Sequence, residues 1–435
     1  MKIDNTDVLV IGGGPAGTTF ATLMKKRGWD VTLVEKEEHP RFHIGESLLP
    51  MNLPILERLG VLDEIEAIGV TKLGADFTVG NSNSEQKTFY FDTALGDSPG
   101  HAFEVTRSEF DRILFENCKR AGVNTHERMR VCHVEGLARG NHKVVAKDAD
   151  GKDHVWETRF VVDASGRDTF YASAKGWKKR NTKHASAAVF GHYRNVERRP
   201  GKDDGNISLY WFDHGWIWMI PLQNDVMSIG AVCYPEYIKT RRGSLDGFLL
   251  DTLNGCAEIK ERMLNAEVVR PASATGNYSY LTRRMTGPGY LLVGDSFAFI
   301  DPVFSSGVYL AMNGAERAVE VAQAWLDGGR VKYLRECHRF RRETQKGLSA
   351  FSWFIYRFTS PVMSDLMSNP RNDWQIVQAI VSMLAGDVYV NRPVRRRLRI
   401  FKGIYLVSTI IHWRKALVAR KLRKRSIRSA IQDDD

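Results

Sequence analysis

The sequence predicts an α/β fold in three parts: a parallel-sheet nucleotide-binding domain, an antiparallel-sheet lobe inserted into it, and a C-terminal helical region. Three observations predict it. Residues 7–17 read DVLVIGGGPAG, a run suited to a buried strand followed at once by closely spaced glycines. Residues 186–234 hold short β-branched and aromatic runs separated by turn signals. From Tyr333 onward strand patterning gives way to apolar residues at helical spacing.

The first unit explains itself residue by residue. Val8, Leu9, Val10 and Ile11 form a strand suited to burial on both faces. Gly12, Gly14 and Gly17 stand at G-x-G-x-x-G spacing, and Ala16, Phe20, Leu23 and Met24 mark one face of the helix that follows. Gly28 closes that helix, and Val31–Val34 makes a second strand ending at Glu35. Gly12 permits the tight turn, Gly14 lets a pyrophosphate approach the backbone, and Gly17 lets helix and strand pack closely. The helix N-terminus offers free N–H groups, while Glu35 can accept from a ribose hydroxyl. A lone glycine motif is weak. Strand, glycines, helix, strand and acid in register identify a Rossmann-like dinucleotide site.

Next comes RFHIGESLLP at 41–50, whose Gly45 and Ser47 suit a loop lying against a cofactor, although an ordinary connecting loop explains the spacing equally. Lys72 sits at the edge of a strand predicted near Val70–Gly74, where a single lysine normally reads as a solvated surface residue. Residues 76–106 read as strands, with Phe89 and Phe91 alternating. Arg107 then opens an amphipathic helix, placed either to hydrogen-bond a cofactor phosphate or ribityl chain or to pair with Asp111 on the surface. Val155–Asp163 is a further strand, and residues 163–167 turn the chain back toward the cofactor.

In the lobe, strands are expected at Ala188–Tyr193, Ile207–Phe212, Trp216–Leu222 and Met227–Cys233. Trp216 and Trp218, at i and i+2, share one face of their strand, as an ordinary aromatic core pair would. Tyr290–Asp295 is a second buried strand, and Asp295 at its C-terminal end can hold a chain of hydroxyls. Beyond Pro302, Ser305, Ser306 and Gly307 begin a helix running to about Leu326, whose N-terminus offers N–H groups to an anion or to the electron-rich edge of a flavin. Trp353, Phe354, Tyr356, Phe358 and Met363 crowd a helical segment interrupted by Pro361, and Trp374–Leu384 reads as another helix. Such aromatic density is usual in a core and is also what an aromatic-substrate pocket needs.

At 435 residues the chain can bury a sizeable core. Cys118, Cys132, Cys233, Cys256 and Cys337 show no paired spacing, which argues against a disulfide framework and a zinc site and favours a reducing compartment. No metal is expected. The net charge of +11 is confined to one end: residues 391–435 hold 14 Lys/Arg and 3 Asp, while the rest carries 48 of each sign. No general basic surface calls for nucleic acid. No leader pattern precedes the first strand, so a cytoplasmic location is expected.

These residues together carry a resemblance. The glycine motif, Glu35, Arg107 and Gly294-Asp295 resemble the FAD-binding fold of p-hydroxybenzoate hydroxylase-type monooxygenases. Within that fold, Trp216–Pro221 is similar to the W-x-W-x-I-P motif of flavin-dependent halogenases, and Phe299, Pro302, Ser305 and Gly307 to their F-x-x-P-x-x-S-x-G motif. Lys72 falls where that family places its essential lysine. Residues 42–50 and 386–389 resemble the branch acting on phenolic, pyrrolic or carrier-tethered substrates. One departure is that tryptophan halogenases carry a glutamate before Ser-x-Gly, where this chain has Phe304; a carboxylate there would steady an indole cation.

The resemblance implies FAD, supplied reduced by a separate flavin reductase, with O2 as co-substrate and chloride or bromide as the halide. It implies Gly12, Gly14, Ala16, Gly17, Glu35, Ser47, Arg107, Asp295 and Pro302 as cofactor contacts, and Ser306 and Gly307 as the halide site. Trp216 and Trp218 would keep the organic substrate from the flavin. Lys72 would hold the resulting hypohalous acid and present it to a small aromatic or to a ring on an acyl or peptidyl carrier protein. Its ammonium should face an aromatic-lined cavity between the second sheet and the 351–384 helices. The implied division is 1–75, 101–182 and 281–330 for the FAD-binding domain, 76–100 and 183–280 for the sheet lobe, 331–390 for a substrate-covering helical region, and 391–435 for a basic amphipathic tail. Competing readings are an aromatic hydroxylase, a geranylgeranyl-type reductase, and a membrane- or carrier-binding flavoprotein with remnant motifs. For the tail, where Arg395–Arg397 and Arg420–Arg425 flank Ile404–Trp413, three readings stand: contact with the inner face of a membrane, contact with an acidic carrier protein, or packing on the body.

Overall fold

The computed structural model describes residues 3–79, 86–136, 140–181, 184–276 and 279–421. Its first sheet grows from the strand Ile3–Ile11, whose last four residues are buried. Val31–Val34 pairs with it in parallel on one side and Asp153–Asp163 on the other, so that Ile11 lies opposite both Val34 and Asp163. Tyr290–Leu292 extends the sheet beyond Asp163, and Asn124–His126 extends it beyond Val34. The C-terminal ends of these strands therefore form one edge, where a doubly wound sheet binds its ligands. Helix Pro15–Lys26 approaches that edge closely because position 17 is glycine: a Cβ there would stand 1.9 Å from the Gly12 carbonyl oxygen. Gly12 itself takes φ +107°, and a Cβ on it would meet the Ala164 carbonyl oxygen at 2.4 Å.

Among the described residues the second sheet has seven strands, in the order Glu267–Thr275, Ala187–Arg194, Val226–Cys233, Gly215–Pro221, Ile207–Phe212, Gly74–Val79 and Lys87–Tyr90. The four strands expected between 188 and 233 all form, within a residue or two of their predicted ends. One pairing differs from a purely antiparallel lobe. Ile207–Phe212 and Gly74–Val79 run parallel, because Gly74–Val79 arrives from the first domain and no hairpin turn fixes its direction. A separate two-stranded ribbon, Gly69–Lys72 with Ala102–Val105, joins the two regions.

One face of the second sheet packs on the short helices Leu245–Asn254 and Ala257–Arg262. The other face, with Phe77, Trp211, Trp216 and Trp218, packs against the C-terminal helices through Phe354 and Phe358. Helix Arg330–Phe358 stops before Pro361, which opens the next helix, Pro361–Ser368, with Ser360 Oγ accepting from the Met363 N–H. The helix expected from Trp374 begins only at Ile376. Trp374 and Gln375 take left-handed backbone angles, φ 55° and 58°, which an α-helix cannot include. Helix Arg392–Ile411 is capped by Asn391, whose side-chain oxygen accepts from the Val394 N–H. Of the basic tail, residues 422–435 lie outside the described residues. Among the described residues no helix is long and apolar enough to cross a membrane.

The tryptophan face depends on a glycine across the strand. Gly230 pairs with Trp218 on one side and Phe190 on the other, and a Cβ there would lie 2.4 Å from the Trp218 ring and 2.5 Å from Phe190 Cβ. Gly230→Ala should therefore cost about 1–3 kcal/mol through overpacking, seen as a lower midpoint in thermal unfolding. An unchanged midpoint would contradict this packing.

Candidate functional site

Where Ile11, Val34 and Asp163 end, a cavity of about 580 Å³ opens, lined by Gly12, Gly14, Ala16, Glu35, Arg107 and Asp295. Glu35 is held firmly: its Oε2 accepts from the Gly13 N–H at 2.6 Å and its Oε1 from the Glu37 N–H at 2.9 Å. Arg107 does pair with Asp111, through Nε and Nη2 at 3.0 Å each, but the pair is buried and not at the surface. Its remaining Nη1 donates to the Ile44 carbonyl at 2.8 Å, which ties down the loop following the second strand. Arg41 joins from the other side, with Nη1 2.9 Å from Asp111 Oδ2. Burial works to raise the Asp111 carboxyl, but Arg107 and Arg41 outweigh it and hold it below the usual range.

These residues fit FAD. Gly14 has extended backbone, and a Cβ on it would meet only Arg41 Nη2, at 3.6 Å, so the approach to the helix N-terminus is clear. Asp295 lies at the seam between this cavity and a second one, and burial pushes its carboxyl up to about 6, opposed by Arg167 and Arg107.

The second cavity, of about 200 Å³, shares Arg107, Asp295 and Phe299 with the first and is otherwise mostly apolar. Ser47, Trp216, Trp218, Pro302, Ser306 and Gly307 all line it. Ser305 takes a left-handed φ of 53°, which turns the chain into helix Ser306–Leu326. A Cβ on Gly307 would meet nothing within 4 Å, so the first turn of that helix presents open backbone. Trp216 and Trp218 have ring centroids 5.8 Å apart, and the Trp218 Nε1–H donates to Ser228 Oγ at 3.2 Å. Helix Arg330–Phe358 closes the far wall with Phe351 and Ile355. Phe304 stands off this cavity, its ring edge-on to Phe354 and Phe358.

Lys72 departs from both expectations for it. It is no surface lysine, being 2% exposed, and its ammonium does not itself line the aromatic cavity. It lies behind the Gly45–Ser47 wall, where Nζ donates to Ser47 Oγ at 2.7 Å and to the Leu48 carbonyl at 3.2 Å. Ser47, which accepts from the ammonium, also lines that cavity. Burial depresses the Lys72 pKa, partly offset by Glu104 and Asp76.

Several functional residues escaped the sequence reading. Glu104 is fully buried, with Oε1 3.8 Å from Lys72 Nζ, and its sequence signal was an acid inside the apolar strand Ala102–Val105. Glu46, on the cavity wall, has Oε1 2.9 Å from His192 Nε2. Arg41 and Arg167 line the nucleotide cavity without belonging to any motif.

Comparison with known proteins agrees with this geometry. Residues 5–352 match the FAD binding domain family. Over 335 residues the chain is 36% identical to tryptophan 2-halogenase of Chondromyces crocatus, covering 74% of this chain and 62% of that protein. Over 328 residues it is 32% identical to the pyrrole-2-carbonyl peptidyl-carrier-protein brominase of Pseudoalteromonas luteoviolacea, covering 74% of this chain and 78% of that one. In three dimensions it is similar to the myxobacterial chondrochloren halogenase CndH, with a TM-score of 0.78 and 31% identity over 93% of this chain and 97% of that one. The chain belongs to the flavin-dependent halogenases, and its cofactor is FAD.

Two outcomes test this site. Since a Cβ at Gly14 would make only an ordinary contact with Arg41, Gly14→Val should fold normally yet lose FAD, measured as flavin absorbance after gel filtration; a variant that keeps its flavin would contradict the placement. Burial also raises the Glu104 carboxyl from 4.5 to about 7, against the pull of Lys72. The native chain then keeps a proton that the unfolded chain releases. Stability from this group is therefore full below about pH 4.5 and lost as pH rises toward about 7. Glu104→Gln should flatten that pH dependence in chemical denaturation, and parallel wild-type and variant curves would refute the burial argument.

Proposed function

We propose that this chain installs chloride or bromide on an electron-rich aromatic ring of the phenol, resorcinol or pyrrole type, using Lys72 to hold and present the halogen electrophile. The observation that carries this is the Lys72 ammonium buried one hydrogen bond behind Ser47, on the wall of a cavity that also bears Trp216, Trp218, Ser306 and Gly307. Bound FAD, once reduced, supplies the O2 chemistry that turns halide into hypohalous acid. Gly12, Gly14, Ala16, Gly17, Glu35, Ser47, Arg107, Asp295 and Pro302 would hold it. The open backbone at Ser306 and Gly307 would receive the halide, since a helix N-terminus favours an anion. Trp216 and Trp218 exclude water and bulk from the space beside them, so that a small oxidant can travel where the substrate cannot.

At Lys72, the Nζ hydrogens donate to Ser47 Oγ and the Leu48 carbonyl. Rotation of the Ser47 hydroxyl would free one donor toward the cavity, where it polarises the electrophile's oxygen as the ring attacks its halogen. Glu104 keeps a compensating group within reach without blocking that donor. The ring proton released afterwards needs an acceptor, and Glu46 on the same wall, backed by His192 Nε2 at 2.9 Å, would supply one.

A phenol or pyrrole is favoured over free tryptophan because it is the more electron-rich ring and needs no carboxylate to steady an indole cation, and Phe304 supplies none. The similarity to a halogenase of a pyrrole on a peptidyl carrier supports a carrier-tethered substrate. A separate flavin reductase is the partner that the reaction requires, since the motifs provide one nucleotide site.

Lys72→Ala should reduce halogenation about 10²–10⁴-fold while leaving FAD content and O2-dependent flavin reoxidation close to wild type. Lys72→Arg should fail as well, because a guanidinium is a differently shaped donor and a poor nucleophile. A Lys72→Ala enzyme that halogenates at a comparable rate would overturn the assignment.

A further inference from the structure

Helix Arg392–Ile411 carries two apolar faces, and the protein body covers one of them. Val394, Leu398 and Phe401 are buried at spacings of four and three, Phe401 stacks on Phe354 with centroids 5.6 Å apart, and the Tyr405 hydroxyl lies 3.1 Å from Ser360 Oγ. The opposite side holds Leu406, Val407, Ile410 and Ile411 at i, i+1, i+4 and i+5, between 56% and 67% exposed. Past a turn at His412, Trp413, Leu417 and Val418 continue the exposed apolar surface. Isolated exposed aliphatics are ordinary, but seven along about 18 Å of helix form a contiguous patch that calls for a covering partner.

Every charged residue flanking this patch along the chain is a cation. No Asp or Glu occurs between Asp387 and Asp433. Arg396 and Arg399 stand exposed before the patch, and Arg414, Lys415, Arg420 and Lys421 stand exposed after it. We propose that this outer face is a docking surface for an anionic lipid bilayer. The aliphatics and Trp413 would enter the boundary between headgroups and acyl chains while the cations at both ends meet lipid phosphates. The stretch lies on the membrane and does not span it, being far short of about 20 apolar residues. A second copy of the chain would bring two all-cationic helices together and be repelled. Charge alone would suit an acidic carrier protein; the seven apolar side chains between the charges are what select lipid.

The test is co-flotation of the purified full-length holoenzyme with vesicles of phosphatidylcholine alone or mixed with phosphatidylglycerol. The expected result is binding to the anionic vesicles only, weakened by salt and reduced at least about tenfold in Leu406→Glu/Ile410→Glu. Because both residues point away from the core, that variant should keep wild-type FAD content and wild-type turnover of a free aromatic substrate, which separates lost docking from misfolding. Three results would overturn the proposal: no flotation with anionic vesicles, flotation unchanged in the double variant, or an intact patch that instead drives self-association or binding of a purified acidic carrier protein without lipid.

Discussion

A lysine ammonium that is 2% exposed must be surrounded by oxygen, because an unpaired buried charge costs several kcal/mol. Here the oxygens come from two places in the chain, Ser47 and Leu48 in the loop after the nucleotide strand and Glu104 in the strand opposite, while the Asp76 charge acts from further off. Holding Lys72 therefore fixes the loop that walls the substrate cavity and the ribbon Gly69–Lys72 with Ala102–Val105 that links the two sheets. The same loop is pinned at Ile44 by Arg107, whose other nitrogens are committed to Asp111. The loop at residues 44–48 is thus held at one end by Arg107, on the nucleotide cavity, and at the other by the buried Lys72.

The division of labour follows from where the polar groups lie. The nucleotide cavity is edged by backbone N–H groups, arginines and acids, which suits a charged, hydroxylated ligand. The neighbouring cavity is mostly apolar, with Trp216 and Trp218 on one side and the C-terminal helices on the other. On the proposed reading, a halide or hypohalous acid would move between them, whereas an aromatic substrate would be confined to the apolar end. Confinement of this kind would separate halogenation from direct hydroxylation without any additional catalytic group.

Local patterns read correctly from sequence wherever the physics is local. The strand, glycines and helix at residues 8–26 are dictated by burial and by approach distances within one βαβ unit, and the tryptophan strand by alternation. What depended on distant partners was not legible. The direction of Gly74–Val79 is set by Ile207–Phe212, which no nearby turn predicts. Lys72 looked solvated because its partners at 47, 48 and 104 are separated from it in sequence by at least two dozen residues. Arg107 reads from sequence either as a cofactor contact or as a surface partner of Asp111, four residues on; the pair forms, but it is buried, with Arg41 and the Ile44 carbonyl also in contact. Trp374 was read as helical from its apolar neighbours, yet its backbone is left-handed and its ring 70% exposed.

The central claim is that this cavity delivers halogen, and not oxygen or hydride, to an aromatic ring. The most direct measurement is product mass spectrometry on a panel of phenols, pyrroles and acyl-carrier thioesters, with reduced FAD regenerated by a reductase and with chloride, bromide or no halide supplied. The account predicts products that gain one halogen, whose isotope pattern changes from chlorine to bromine with the salt and which vanish when halide is omitted. Products that gain oxygen or hydrogen independently of halide would contradict it.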